Sequence, residues 1–165
     1  MKRSEINQLL RSAEEFFREH RFHLPPFASW TPEEWLTKGI EANEIRRRGL
    51  GWDITDLGSG TFERVGLILF TLRNGDANDP KNPKCYAEKV MMVRDGQVTP
   101  WHFHWHKAED IINRGGGNLT VELAWATEAE DSLAKREVTV SCDGVLRTLP
   151  ARGNIILTPG ESVTL

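Results

Sequence analysis

The sequence has few cysteines, no long apolar run and no excess of charge of one sign. Cys85 and Cys142 are the only cysteines in 165 residues, too few for a disulfide framework, so we expect two buried, reduced thiols. No stretch approaches the ~20 apolar residues of a membrane span, and the first residues contain no apolar signal-peptide core. The 21 basic and 24 acidic side chains give a net charge of −3, which argues against the basic face of a nucleic-acid-binding protein. These features predict a cytoplasmic protein with neither a nucleic-acid nor a membrane partner.

The first 49 residues have the pattern of amphipathic helices. Apolar residues recur at helical spacing over 6–17, and Ser4 precedes them as a candidate N-cap. Thr31, followed by a proline and then by Glu34, has the composition of a second helix start with a capping box. The apolar spacing predicts that this second helix continues to Gly49, which can end it.

From residue 50 onward, turn-forming pairs alternate with short runs that are typical of strands. Asp95–Gly96 and Asp143–Gly144 have the composition of two-residue hairpin turns. About eight short strands separated by such turns indicate a β-sandwich, jelly roll or barrel. The predicted strands are 62–73, 85–93, 98–104, 118–127, 136–142, 145–149, 154–158 and 162–165.

A histidine cluster is the most informative segment. Three of the five histidines, His102, His104 and His106, lie within five residues, and Glu109 follows. On a strand these histidines would share one face and could converge on one ion, with the carboxylate returning from a neighbouring strand. Nitrogen and oxygen ligands suit Mn, Fe, Zn, Co or Ni. The pattern itself leaves the choice between His104 and His106 open. The opposite face would carry three aromatic residues that need a cover, from the N-terminal helices or a subunit interface: Trp101, Phe103 and Trp105.

The spacing of this segment resembles the first motif of the cupin superfamily. Gly96, five residues, His102-Phe-His104, four residues, Glu109, six residues and Gly116 match that motif at every position. The resemblance implies that His102, His104 and Glu109 are the metal ligands. It also implies a mainly β fold, a cupin double-stranded β-helix (a jelly-roll barrel), with the N-terminal α-helices packed outside. We expect one cupin domain over 1–165, helical over 1–49 and barrel from 50 to 165.

The resemblance extends to one family of cupins. Residues 86–94 and 97–117 are similar to the D-lyxose isomerase family of sugar isomerases, and so is the placement of helices ahead of the barrel. This resemblance implies a cytoplasmic, homodimeric enzyme of carbohydrate metabolism with a divalent metal, Mn²⁺ in preference to Zn, Fe, Co or Ni. Such an enzyme interconverts D-lyxose with D-xylulose and D-mannose with D-fructose through a metal-stabilised enediol.

The chain departs from the cupin pattern at its C-terminus. The second cupin motif supplies a fourth ligand, a histidine, but no histidine follows His106. The missing histidine and the family's acid/base glutamate are expected beyond Leu165, so we predict that the sequence is shortened. Ending on a strand would leave a sheet edge exposed, which favours this prediction. The alternative is a divergent member whose three-ligand site is completed by water.

Several polar residues are candidates for contact with the sugar. Glu109 should not act as the base if it is a ligand, so Lys89 and Lys107 are the predicted catalytic and hydroxyl-binding residues. Each could equally be an ordinary surface lysine. Asp110 could bind substrate or accept a hydrogen bond from a ligand imidazole, and Gln97 is a further substrate-binding candidate.

Two other functions fit the same ligands. An iron-dependent cupin dioxygenase would use the same two histidines and one carboxylate, and only the flanking resemblance speaks against it. A non-catalytic sugar-binding cupin becomes the alternative if the chain truly ends at Leu165, because a ligand and the base would then be absent.

Overall fold

The computed structural model describes residues 1–81, 83–104 and 107–165, and these form two compact units, Met1–Trp101 and His102–Leu165. The described residues contain three α-helices and nine strands in antiparallel sheets, which confirms the predicted mainly β class. Short 3-10 turns occupy Pro26–Ser29 and Ile40–Ala42. The helices are α1 (Arg3–Glu19), α2 (Pro32–Leu36) and α3 (Asn43–Arg48). The prediction of a single domain remains untested.

Helix α1 is amphipathic, as its apolar spacing predicts. Leu9, Ala13 and Phe17 are buried on one face. The predicted N-cap at Ser4 is wrong, because the helix begins at Arg3 and the N-cap is Lys2. The carboxylate of Glu5 accepts a hydrogen bond from the Lys2 backbone N–H at 2.7 Å, which satisfies one donor of the first turn.

The second predicted helix starts as expected but is shorter. Thr31 accepts a hydrogen bond from the Glu34 N–H, and the Glu34 carboxylate accepts one from the Thr31 N–H, so the capping box is confirmed. The helix ends at Leu36, not at Gly49. Beyond its end, the Arg46 guanidinium donates to the carbonyls of Lys38 and the following glycine. Gly49, with φ of 60°, ends α3 in the left-handed conformation.

The first unit contains a three-stranded sheet that α1 covers. Its strands lie in the order β1 (Gly51–Thr55), β2 (Leu67–Asn74) and β3 (Ala87–Met92), and β1 was not predicted. One face carries the buried Ile68, Phe70 and Met92, and Ile68 and Met92 belong to the same apolar core as α1. Because side chains alternate along a strand, Lys89 lies on the opposite face.

The predicted strand over 98–104 is wrong. None of these residues is in a strand; Val98 makes an isolated parallel bridge to Val65, and Pro100 has no N–H for a ladder. The turn at Asp95–Gly96 forms, with Gly96 at φ of 70°, but the chain then runs to Val65 and does not return along β3. His102 and His104 are therefore not presented by a strand.

The second unit contains six short strands in two sheets. The strands are β4 (Asp110–Ile112), β5 (Leu119–Leu123), β6 (Val138–Cys142), β7 (Val145–Leu149), β8 (Gly153–Leu157) and β9 (Ser162–Thr164). One sheet has the order β4-β9-β6-β7 and the other pairs β5 with β8. The turn at Asp143–Gly144 joins β6 to β7, which confirms the second predicted hairpin. The double-stranded β-helix of the cupins stays a prediction.

Other expectations from composition have mixed outcomes. Both cysteines are free thiols, but only Cys142 is buried, and Cys85 is exposed. Trp101 and Phe103 are 44% and 53% exposed in the single chain, and their cover by the N-terminal helices or a subunit interface stays a prediction; Trp105 lies outside the described residues. Over the ranges that the structure describes, no helix has both the length and the apolarity needed to cross a bilayer.

Candidate functional site

The centre of the candidate site is the carboxylate of Glu109. Its Oε2 atom lies 3.4 Å from Nε2 of His104, and its Oε1 atom lies 3.2 Å from Nζ of Lys107. The three side chains are 31–43% exposed, so they are accessible to solvent. The carboxylate of Glu109, itself a predicted metal ligand, therefore contacts a second predicted ligand, His104, and a predicted catalytic residue, Lys107.

His102 lies beside His104. The two imidazole rings have centroids 5.2 Å apart and are nearly perpendicular, at 80°. His104 therefore contacts both of the other predicted ligands. Within residues 1–81, 83–104 and 107–165, no group of three His, Cys, Asp or Glu side chains is arranged to hold an ion. The predicted ligands occur as two adjoining pairs, and His106 lies outside the described residues.

The spacing of one pair, His104 and Glu109, is compatible with two ligands of a divalent transition metal. Two donors bound to one ion at about 2.1 Å lie roughly 3.0–3.4 Å apart, depending on the coordination angle. The 3.4 Å between His104 and Glu109 falls at the upper end of this interval. Imidazole nitrogen with carboxylate oxygen is a ligand set that Mn, Fe, Zn, Co and Ni accept.

The backbone of Glu109 is held by the strand that follows late in the chain. Its N–H donates to the Leu165 carbonyl at 3.1 Å, and the Leu165 N–H donates back to the Glu109 carbonyl at 2.8 Å. Next to this pair, Oδ1 of Asp110 accepts a 2.6 Å hydrogen bond from the Thr164 hydroxyl. The contact of Asp110 with Thr164 gives this carboxylate a role in the β4–β9 ladder; its predicted contact with substrate stays a prediction.

Two carboxylates at the beginning of β9 have a pKa below the ordinary value. Hydrogen bonds from the Ser162 hydroxyl and backbone N–H lower the pKa of Asp143. Hydrogen bonds from the backbone N–H and hydroxyl of Thr158 lower the pKa of Glu161. Each bond favours the charged carboxylate. Both carboxylates therefore stabilise the loop and the strand on which the Glu109 backbone depends.

Asn113 is a structural residue that sequence reasoning missed. It is 6% exposed, and its side-chain nitrogen donates to the carbonyls of Gly117 and Leu157, both at 2.7 Å. Its side-chain oxygen accepts from the Gly115 N–H at 3.0 Å. One amide thus shapes the glycine-rich turn after β4 and links it to β8. The only sequence signal for this role was an asparagine just before three glycines.

The other two predicted site residues lie in the first unit. Lys89 is exposed on β3, opposite Thr71 of β2. Gln97 is only 8% exposed; its side-chain nitrogen donates to the Phe62 carbonyl at 2.6 Å, and its oxygen accepts from the Arg94 N–H. These bonds give Gln97 a structural role in its turn. Substrate binding by Gln97 and catalysis by Lys89 stay predictions.

Known proteins are similar to this sequence along its whole length. The sequence model of the D-lyxose isomerase family matches residues 1–165. A D-lyxose/D-mannose isomerase of Escherichia coli O157:H7 is 51% identical over 166 residues, which cover 100% of this chain and 73% of that protein. A D-lyxose/D-mannose isomerase of Serratia proteamaculans is 49% identical over 166 residues, covering 100% of this chain and 72% of that protein. Both relatives are longer than the aligned region, and the predicted shortening of this chain stays a prediction.

The match confirms the family and the enzyme class that the sequence predicts, an intramolecular oxidoreductase that isomerises sugars. Identities of 51% and 49% over 166 residues exclude chance similarity. This chain belongs to the D-lyxose isomerase family.

Proposed function

We propose that this protein is a metal-dependent aldose–ketose isomerase that interconverts D-lyxose with D-xylulose and D-mannose with D-fructose. The observation that carries the proposal is the 51% identity with a protein named D-lyxose/D-mannose isomerase across the complete chain. The approach of His104 to Glu109 supports it independently, because the two donors have the spacing of ligands to one ion.

The proposed ligands are His102, His104 and Glu109, and Mn²⁺ is the metal we favour. When bound, the ion acts as a Lewis acid that stabilises negative charge developing on the sugar oxygens at C1 and C2. The two imidazoles supply neutral nitrogen donors and the carboxylate supplies one negative charge. With these three ligands, a divalent ion would keep a net positive charge. That charge would stabilise the negative charge on the oxygens of the enediol.

The reaction moves a proton between C2 and C1 and shifts the carbonyl from one carbon to the other. If the Glu109 carboxylate binds the metal, it is not available as the base. Other groups must therefore transfer the proton and bind the sugar hydroxyls. Lys89 and Lys107 are the residues we propose for contact with the sugar oxygens, with Asp110 at the margin of the site. An ammonium group beside a developing oxyanion stabilises the charge that forms in the transition state.

The experiment that tests this function is an isomerase assay with controlled metal content. The purified protein is stripped with chelator, reloaded with Mn²⁺, and given D-lyxose or D-mannose. We expect ketose to form only in the reloaded sample. Absence of D-xylulose and D-fructose from protein shown to contain Mn²⁺ would contradict the proposal.

We further propose the cytoplasmic, homodimeric cupin that the resemblance implies. The exposed Trp101 and Phe103 are consistent with a surface that another subunit covers. Light scattering coupled to size-exclusion chromatography measures the mass in solution directly. A monomer mass at the working concentration of the enzyme assay would contradict the dimer.

A further inference from the structure

The two oxygens of the Glu109 carboxylate have different neighbours. Oε1 faces the ammonium of Lys107 at 3.2 Å, and Oε2 faces the imidazole of His104 at 3.4 Å. A carboxylate with both oxygens free can bind an ion through one oxygen or through both. Here one oxygen already has a cationic hydrogen-bond donor, so the other is the oxygen available to an ion beside His104.

The contact with Lys107 restrains the side-chain torsions of Glu109, which the backbone hydrogen bonds do not fix. The reciprocal hydrogen bonds with Leu165 fix the main chain of Glu109 but not its side-chain torsions. A glutamate side chain has several rotatable bonds and loses conformational entropy when it is held in one rotamer. A donor on Oε1 selects those rotamers in which Oε2 turns towards His104, before any ion arrives.

We propose that Lys107 is a positioning residue that orients the Glu109 carboxylate for one-oxygen metal binding. This inference rests on the proposed function, because it assumes that Glu109 is a ligand. Hydrogen-bonding partners of metal ligands commonly raise metal affinity by about 10–100-fold, by fixing the orientation of the ligand. Lys107 then contributes to metal affinity in the absence of sugar, which a residue that contacts only the substrate would not do.

The test measures Mn²⁺ affinity without substrate in two variants of Lys107. Lys107→Met keeps the length of the side chain but removes the donor, and Lys107→Arg keeps a cationic donor. Lys135→Met is the control, because Lys135 is an exposed lysine of the same unit. The Mn²⁺ dissociation constant is obtained by competition with a fluorescent chelator, and circular dichroism verifies folding. Lys107 is 43% exposed, which favours folded variants.

We expect Lys107→Met to weaken Mn²⁺ binding by about tenfold. Lys107→Arg should recover most of the affinity, and Lys135→Met should match the unsubstituted protein. With Co²⁺ in place of Mn²⁺, the visible absorption of Lys107→Met should change shape, because the carboxylate is free to bind through both oxygens.

Two results would contradict the proposal and are distinguishable. If Lys107→Met binds Mn²⁺ as tightly as the unsubstituted protein, or more tightly, the positioning role is wrong and the metal site stands. If the unsubstituted protein itself binds no Mn²⁺, the metal site of the proposed function is wrong, and the positioning role is overturned with it.

Discussion

The side-chain amide of Asn113 joins two sheets of the second unit by a 2.7 Å hydrogen bond to the Leu157 carbonyl. Asn113 follows β4 directly, and Leu157 is the last residue of β8. The bond is buried, and the same nitrogen also donates to Gly117. A buried amide in this position stabilises the turn after β4 and, through it, the strand that begins next to Glu109.

Asn113→Asp should destabilise the protein by about 1–3 kcal/mol, because the carbonyls of Gly117 and Leu157 lose their donor and the contact with Leu157 is buried. A buried carboxylate facing carbonyl oxygens also adds repulsion. Urea denaturation followed by circular dichroism measures the change in unfolding free energy. Asn118→Asp is the matched control, since Asn118 is exposed. An equal loss in both variants would show that the buried amide has no special role.

Glu109→Gln should lose Mn²⁺ and isomerase activity together. The substitution preserves shape but removes the negative charge that a divalent cation requires of its carboxylate ligand. Metal content after dialysis is measured by elemental analysis, alongside ketose formation. Glu128→Gln, at an exposed position, should retain both. Stoichiometric Mn²⁺ retained in Glu109→Gln would remove Glu109 from the ligand set.

Lys89→Met should lower kcat by about 10²-fold or more, with Mn²⁺ content unchanged, because a positioned polar group in the transition state contributes on that scale. Lys89 lies on the face of β3 that α1 does not cover, so the substitution leaves the apolar core intact. Lys81→Met provides an exposed control. If Lys89→Met keeps full turnover, Lys89 is an ordinary surface lysine with no catalytic role.

The stability contributed by Asp143 should depend on pH in acid. Hydrogen bonds from Ser162 lower the pKa of Asp143 in the folded state, so folding favours the charged form. This stabilisation is complete above the unfolded-state pKa, about 3.9, and is lost as the pH falls through the lower folded-state pKa.

Asp143→Asn isolates this effect, because asparagine tolerates the positive φ of 50° at this position. Urea denaturation at pH 7 should show the unsubstituted protein to be the more stable of the two. The difference should shrink on acidification below pH 4 or so. A difference that stays constant down to strong acid would show that the charge of Asp143 is not responsible.

The elements that local chemistry specifies were predictable from the sequence. Thr31 and Glu34 form their capping box wherever the chain goes afterwards, because both bonds lie within one turn. The Asp143–Gly144 turn and the amphipathic face of α1 are local in the same sense. The ligand spacing also needed only the sequence, since it identified the family that the comparisons then confirmed.

Tertiary structure alone decided the features that depend on residues far apart in the chain. The strand expected at 98–104 is absent because Val98 bridges to Val65, more than thirty residues earlier. Such contacts form only when the whole chain is folded, and no local pattern contains them.

The candidate site shows the same division. Sequence spacing was sufficient to select His102, His104 and Glu109 through the resemblance, since ligand identity is a matter of residue type and interval. The backbone of Glu109 is held by the backbone of Leu165, 56 positions later, and its carboxylate contacts His104 and Lys107. The sequence by itself therefore determined which donors are present. Tertiary contacts decided where each donor atom points, because only packing fixes torsions that the local sequence leaves free.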